Sequence, residues 1–275
     1  MLIVDLHTHS TFSDGTFSPE ALVGRAAKRH VSILSLTDHD TTAGLDRFLA
    51  ACGKKGIQGI TGVELSAEAS FTLHIMGYRI DSSCPGFQKK LGTLRENRRE
   101  RNALMVEKLA SLGLAINLGE VEAESGGEVV ARPHIARVLV KKGYVRDIAS
   151  AFNRYIGRGG PAYVASARLA PEQCLEAIDE AGGVSVLGHP GLMGLDEDHL
   201  FALLERLRDH GLWGLECFSG HHGSGEIYYW MKVASRFGLF PTAGSDFHGI
   251  DRPGMDLGVA VTEGLLPWAR LGVSI

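Results

Sequence analysis

Leu2-Ile3-Val4-Asp5-Leu6-His7-Thr8-His9 opens the chain, and the fold turns on how these eight residues are read. A short apolar run leads as a strand into a His-x-His pair. Residues two apart on a strand point to the same side, so His7 and His9 face one point. Three further blocks share this character: Thr37-Asp38-His39-Asp40, Gly188-His189-Pro190 and Ser245-Asp246-Phe247-His248, each placed where a strand pattern ends. Asp246 and His248 again share a side. Two such pairs near opposite ends of 275 residues require a fold that brings the termini together, and histidine with carboxylate is a metal-binding combination.

Working outward, the first 65 residues alternate strand and helix signals. Ser18-Pro19-Glu20 has an N-cap residue followed by proline, opening a helix over 21–30. Ile33-Leu34-Ser35-Leu36 is a second strand, 45–54 a second helix closed by Gly56, and 58–63 a third strand ending at Glu64. The alternation resumes after residue 170, with helices over 171–181, 196–210 and 226–237 and strands over 184–187, 212–217 and 240–244. Strands alternating with helices of this length indicate βαβ units and a parallel sheet. Between them lie one more strand over 71–78 and then helical stretches over 87–112, 134–142 and 147–156, with no buried-strand run from 81 to 160. The expected organisation is a barrel built from 1–80 and 165–275 with a helical insertion at 81–164. The metal-type blocks end strands, where barrel enzymes keep their active sites.

Composition narrows the setting. A chain of this length suits one α/β barrel, and 44% apolar residues are ample for a core. A net charge of -4 argues against a broad basic surface for duplex nucleic acid, while leaving room for a local site for a small anion. The four cysteines, Cys52, Cys84, Cys174 and Cys217, form no C-x-x-C pair and read as reduced thiols. There is no basic leader with a cleavage site, and no apolar stretch approaches the roughly 20 residues that span a bilayer. The expected location is the cytoplasm, away from membranes.

The candidate metal ligands are His7, His9, Asp14, His39, Glu64, His74, His134, His189, Asp246 and His248. That is too many for one ion. A bridging carboxylate can join two ions, and Glu64 is the natural bridge, so two or three metals per chain is the simplest count. His189 could be a ligand, a phosphate donor or the acid for the leaving group. Asp38 and Asp40 could orient imidazoles. Glu216 ends a strand without a motif partner. His221 and His222 could line a loop near the site, whereas His30, His199 and His210 read as surface residues.

The blocks DLHTHS, TDHD, GVE with a following histidine, GHP and SDFH together resemble the polymerase-and-histidinol-phosphatase (PHP) family of the amidohydrolase superfamily, over residues 1 to about 249. The resemblance implies an α/β fold, a distorted (β/α)7 TIM-like barrel with a trinuclear metal centre. Carried over by position, His7, His9, Glu64 and Asp246 would hold one metal, Glu64, His74 and His134 the second, and Asp14, His39 and His248 the third. Asp14 stands where many relatives have histidine, which implies a weaker third site or one for a harder ion. The phrases Ala131-Arg132-Pro133-His134 and Gly157-Arg158-Gly159-Gly160 look like the branch of 3',5'-nucleotide bisphosphate phosphatases and related 5'-3' exoribonucleases.

The expected function is therefore removal of the 3'-phosphate from a nucleoside 3',5'-bisphosphate, by attack of a hydroxide bridging two metals. The donor set is nitrogen and oxygen without thiolate, so Mn2+ is expected, with Zn2+ or Fe2+ as options. His39, His189 and Asp246 are the expected catalytic residues. Arg95, Arg98, Arg99 and Asn102 share a face by helical spacing. Arg99, Asn102, Arg132, His134, Arg158 and His189 are the expected substrate contacts, because guanidinium suits phosphate. The alternatives are a 5'-3' exoribonuclease on short single-stranded RNA, a histidinol-phosphate phosphatase, and a structural metal-binding module without activity.

Overall fold

In the computed structural model of the chain, which describes residues 1–220, 222–251 and 254–273, the strands are β1 (Leu2–Asp5), β2 (Ile33–Leu36), β3 (Gln58–Ser66), β4 (His74–Tyr78), β5 (Val184–Leu187), β6 (Gly214–Ser219), β7 (Phe240–Gly244) and β8 (Val259–Val261). The helices are α1 (Pro19–Lys28), α2 (Leu45–Lys55), α3 (Pro85–Ser111), α4 (Leu118–Glu124), α5 (Arg132–Lys141), α6 (Ile148–Ala151), α7 (Pro171–Glu180), α8 (Glu197–Asp209) and α9 (Ser224–Phe237).

The strands form one sheet in the order β7-β6-β5-β4-β3-β2-β1-β8. Every residue of β2 and of β6 is buried, as expected for strands covered on both faces, and this is why they read as short apolar runs. The sheet curls until its ends meet: the Leu6 N–H donates to the Ala243 carbonyl at 2.9 Å, the His9 N–H donates to that of Phe247 at 2.9 Å, and Thr8 bridges Phe247. Strands β1 to β7 thus make a nearly closed α/β barrel. β8, which the sequence reading did not contain, pairs antiparallel with the opposite end of β1.

The expectation of a parallel sheet needs correction at β4, which runs antiparallel to both β3 and β5. Residues 67–73 connect β3 to β4, too short a link for the crossover that parallel neighbours require. The reversal has a consequence for chemistry. His74 begins its strand yet lies at the same mouth as the residues that end the others.

Local signals act as read. The Ser18 hydroxyl accepts the Ala21 N–H at 3.3 Å with Pro19 in the first turn of α1, and Gly56 closes α2 at a φ of 68°. Between β4 and β5 the chain is helical. The first half of α3 buries Phe87, Leu91 and Leu94 in the barrel core, each contributing about 1.5–3 kcal/mol. Its second half places Met105, Val106 and Leu109 in a separate core with Val121, Ile135, Leu139 and Ile156. One helix therefore belongs to two cores and joins them.

Candidate metal and phosphate site

Glu64 lies in the mouth-side half of β3, two residues before its end, and is completely buried. Its two carboxylate oxygens are ringed by imidazoles: His74 Nδ1 at 2.7 Å, His189 Nε2 at 3.2 Å and His7 Nε2 at 3.3 Å from Oε1, and His39 Nδ1 at 3.0 Å and His9 Nε2 at 3.2 Å from Oε2. Asp246 Oδ1 lies 3.4 Å from His7 Nε2 and 3.3 Å from His9 Nε2. Beyond them Asp14 faces His248 Nε2 at 3.3 Å and His39 Nε2 at 3.8 Å.

These atoms fall into three groups whose donor atoms lie within 4.8 Å of one another: His7, His9, Glu64 and Asp246; His39, Glu64 and His74; and His9, Asp14, His39 and His248. His7 Nε2, His9 Nε2, Asp14 Oδ1, His39 Nδ1 and Glu64 Oε2 are buried without a hydrogen bond. Leaving several such groups unsatisfied costs about 1–3 kcal/mol each, so the cluster calls for cations that use those lone pairs. A nitrogen–oxygen donor set of this density suits divalent transition ions.

The fold holds the groups at strained strand ends. Asp40, His189 and Asp246 have positive φ values of 52°, 30° and 55°, which non-glycine residues adopt only where surroundings enforce them. Of the expected orienting carboxylates, Asp38 reaches an imidazole only through the Ser13 hydroxyl, which lies 3.4 Å from His9 Nδ1, and neither hydrogen-bonds one directly among the described residues. Asp38 accepts from the Ser10 N–H, the Ser10 hydroxyl and the Ser13 hydroxyl, while Asp40 takes the Ser66 N–H and the Arg98 guanidinium. Asp5 accepts from Ser245, Gly258 and His7, and burial raises its carboxyl to about 6 against those hydrogen bonds. It ties β1 to the segment carrying Asp246.

The two candidate ligands that neighbour a proline, His134 and His189, both stand outside these three groups, in different ways. His134 is in none of the three groups. Its Nδ1 accepts the Ala131 N–H at 2.9 Å at the start of α5. Coordination through Nε2 would move a proton onto Nδ1 and set it against that N–H donor. Burial holds the His134 pKa down to about 4, so it stays neutral with its proton on Nε2. His189, by contrast, points Nε2 between Glu64 and His74, 3.1 Å from His74 Nδ1. It therefore borders the group of His39, Glu64 and His74 without being a member of it.

The arginines are also redistributed. Arg99 is exposed, faces Glu122 at 3.9 Å, and lines with Arg95 a separate surface groove of about 430 Å3. Arg158 is exposed and donates to the Ala69 carbonyl. Asn102 is buried, accepts both Nε and Nη2 of Arg101 and donates to the Val130 carbonyl, so it aims an arginine. Arg132 does reach the site. With Arg98, Arg101 and Arg168 it lines a cavity of about 160 Å3 whose other wall carries Asp14, His39 and His74. Arg98 belongs to the helix face expected from the spacing, whereas Arg101 and Arg168 were not expected here, although for Arg101 a signal was present. Arg98, Arg101 and Asn102 interrupt the buried stripe Leu91, Leu94, Met105, Leu109 of α3, so they lie on the core face where an arginine needs a reason. Arg132 is stacked between Phe152 and Tyr163 at 5.6 and 5.7 Å from the ring centroids.

His222 packs beside Gly191 and stacks on Trp230, and His221 lies outside the described residues. His30, His199 and His210 are exposed.

A family model for the PHP domain matches residues 5–159. The chain belongs to the PHP family. It is 36% identical to a 3',5'-nucleoside bisphosphate phosphatase of Chromobacterium violaceum over 98% of this chain and 95% of that one. It is 34% identical to the 5'-3' exoribonuclease Rnm of Escherichia coli, covering 90% and 85%. Among solved structures, an amidohydrolase from Chromobacterium violaceum with bound sulfate and no metal superposes with a TM-score of 0.90 at 34% identity, over 98% of this chain and 95% of that one. No helix among the described residues is long and apolar enough to cross a membrane.

Proposed function

We propose that this chain is a metal-dependent phosphomonoesterase that removes the 3'-phosphate of nucleoside 3',5'-bisphosphates. The observation that carries the reading is the arginine pocket set against the metal-donor cluster. Arg98 is paired with Asp40 at 2.5 Å. Among the described residues Arg101, Arg132 and Arg168 have no carboxylate within ion-pair distance; they rest on an amide, two aromatic rings and a carbonyl. Burial and the neighbouring guanidiniums push Arg101 well below the usual arginine range. Guanidinium keeps its proton in proteins, so the pocket is a positive charge awaiting an anion. A phosphate group meets that need with charge-assisted, bidentate contacts. A substrate with two phosphates, one on the metals and one here, uses both halves.

His7, His9, Glu64 and Asp246 would hold the first ion, Glu64, His74 and His189 the second, and Asp14, His39 and His248 the third, with Mn2+ the expected metal. His189 thus replaces His134 in the second set and is no longer free to serve as the acid. When bound, the ions would lower the pKa of water and neutralise phosphoryl charge. The residues of the chain do the rest. Asn102 and the Phe152–Tyr163 pair hold Arg101 and Arg132 in fixed directions, which reduces the ordering cost of binding. The 81–164 segment, acting as an insertion over the mouth, supplies three of the four arginines and so sets substrate choice. Four free cysteines, three of them buried, accord with a reducing cytoplasmic setting.

The similarity to exoribonucleases supports a second reading, in which the same pocket takes the 5'-phosphate of a short RNA. Phosphate release with added Mn2+ from adenosine 3',5'-bisphosphate, AMP, histidinol phosphate and a 5'-phosphorylated oligoribonucleotide tests both. Preferred turnover of the bisphosphate is expected. Equal rates on AMP and the bisphosphate defeat the two-phosphate reading, and preferred release of mononucleotides from RNA selects the second.

A further inference from the structure

Glu216, on β6, is completely buried beneath the metal-donor cluster and belongs to none of its three groups. One carboxylate oxygen, Oε1, lies 3.1 Å from His7 Nδ1; the other, Oε2, accepts the backbone N–H of His189 at 2.6 Å. The β6–β7 register shifts between Glu216 and Phe218, and such irregularities beside sites re-aim side chains. The opposite strand is cut to fit. A Cβ on Gly244 would stand 2.3 Å from His7 Cβ and 2.6 Å from Glu216 Oε1, so only glycine leaves room for this pair.

We infer that Glu216 is a positioning residue that sets the first and second metal groups together. A carboxylate is an acceptor only, so its contact keeps a proton on His7 Nδ1 and makes Nε2, which faces Glu64 and Asp246, the nitrogen that would coordinate a metal. The second oxygen pins the peptide of His189, whose left-handed backbone at φ 30° and ψ 57° aims Nε2 at Glu64 and His74. Histidine ligands are commonly fixed through their other ring nitrogen by such a partner. Here one group acts on an imidazole of one set and on the backbone of a member of the other. The inference rests on the metal assignment proposed above.

The Glu216→Gln variant separates the ideas. An amide has one acceptor oxygen and one donor nitrogen, whereas both neighbours donate, so one contact must fail. Mn2+ titration of metal-stripped protein is expected to show affinity at the first and second groups falling about 10- to 100-fold, with the ion of Asp14, His39 and His248 retained. A folded Glu216→Gln protein with wild-type Mn2+ affinity and stoichiometry overturns the role. Should that variant not fold, wild type decides. In Zn2+-loaded protein carrying 15N-histidine, His7 is expected as the Nδ1–H tautomer, and an Nε2–H signal from His7 overturns the inference. Wild type that takes up no Mn2+ sinks the metal assignment itself, and is distinguishable from either result.

Discussion

The Arg98 guanidinium grips the Asp40 carboxylate through Nε at 2.7 Å and Nη2 at 2.5 Å, joining the core face of α3 to the end of β2. Both side chains are buried, and Asp40 is also the left-handed residue that follows His39. Breaking a buried pair from one side leaves the other charge unpaired. Arg98→Met is expected to destabilise the protein by about 3–5 kcal/mol in urea unfolding. A loss below 1 kcal/mol would show that Asp40 finds water or another partner.

Glu64 touches all the imidazoles of the first two groups, so Glu64→Gln is expected to remove more metal than any other single change. Elemental analysis of protein grown with Mn2+ should fall from two or three equivalents to one or none. A fully loaded variant would contradict the bridging position.

The arginine pocket predicts a contrast between Arg99 and the arginines that line the cavity. Arg101→Met and Arg132→Ala should each lower kcat/KM for the bisphosphate roughly tenfold to hundredfold, from contacts of about 1.5–3 kcal/mol, with little effect on AMP. Arg99→Ala, on the far groove, should leave both substrates within about twofold. Equal losses from Arg99→Ala and Arg101→Met would return all these arginines to a solvated surface role.

Metal uptake should release protons. Burial alone would lower the His9 pKa, but the facing carboxylates of Asp246 and Glu64 and the charge of Asp14 raise it to about 9. Burial takes His74 down to about 4, so it is already neutral. Without metal His9 therefore stays protonated at pH 7.5 and must lose that proton to coordinate. Affinity should rise with pH up to about 9, and calorimetry at pH 7.5 in buffers of different ionisation enthalpy should report at least one proton released. The sign for metal-free stability is opposite: the His9 contribution is complete below its ordinary pKa and is lost as pH rises through about 9. Buffer-independent binding heats would refute the assignment.

The strand-end blocks were legible in the amino-acid order because His7 and His9 flank Thr8 and need only the two-residue period of extended chain to converge. Asp246, by contrast, reaches the same mouth from a left-handed backbone that the period does not show. Barrel architecture followed from the same alternation, and the caps at Ser18 and Gly56 are local chemistry. What lay beyond reach depended on neighbours far away in sequence. The direction of β4 is invisible to a periodic pattern, which reads the same both ways, yet it brings His74 to the mouth. His134 and His189 are each a single histidine before or after proline. Only the Ala131 N–H at one and the left-handed turn at the other decide which lone pair is free for metal. Arg98, Arg101 and Arg99 differ by a few positions on one helix, and only the packing of α3 between two cores turns the first two toward the metals and the third toward solvent.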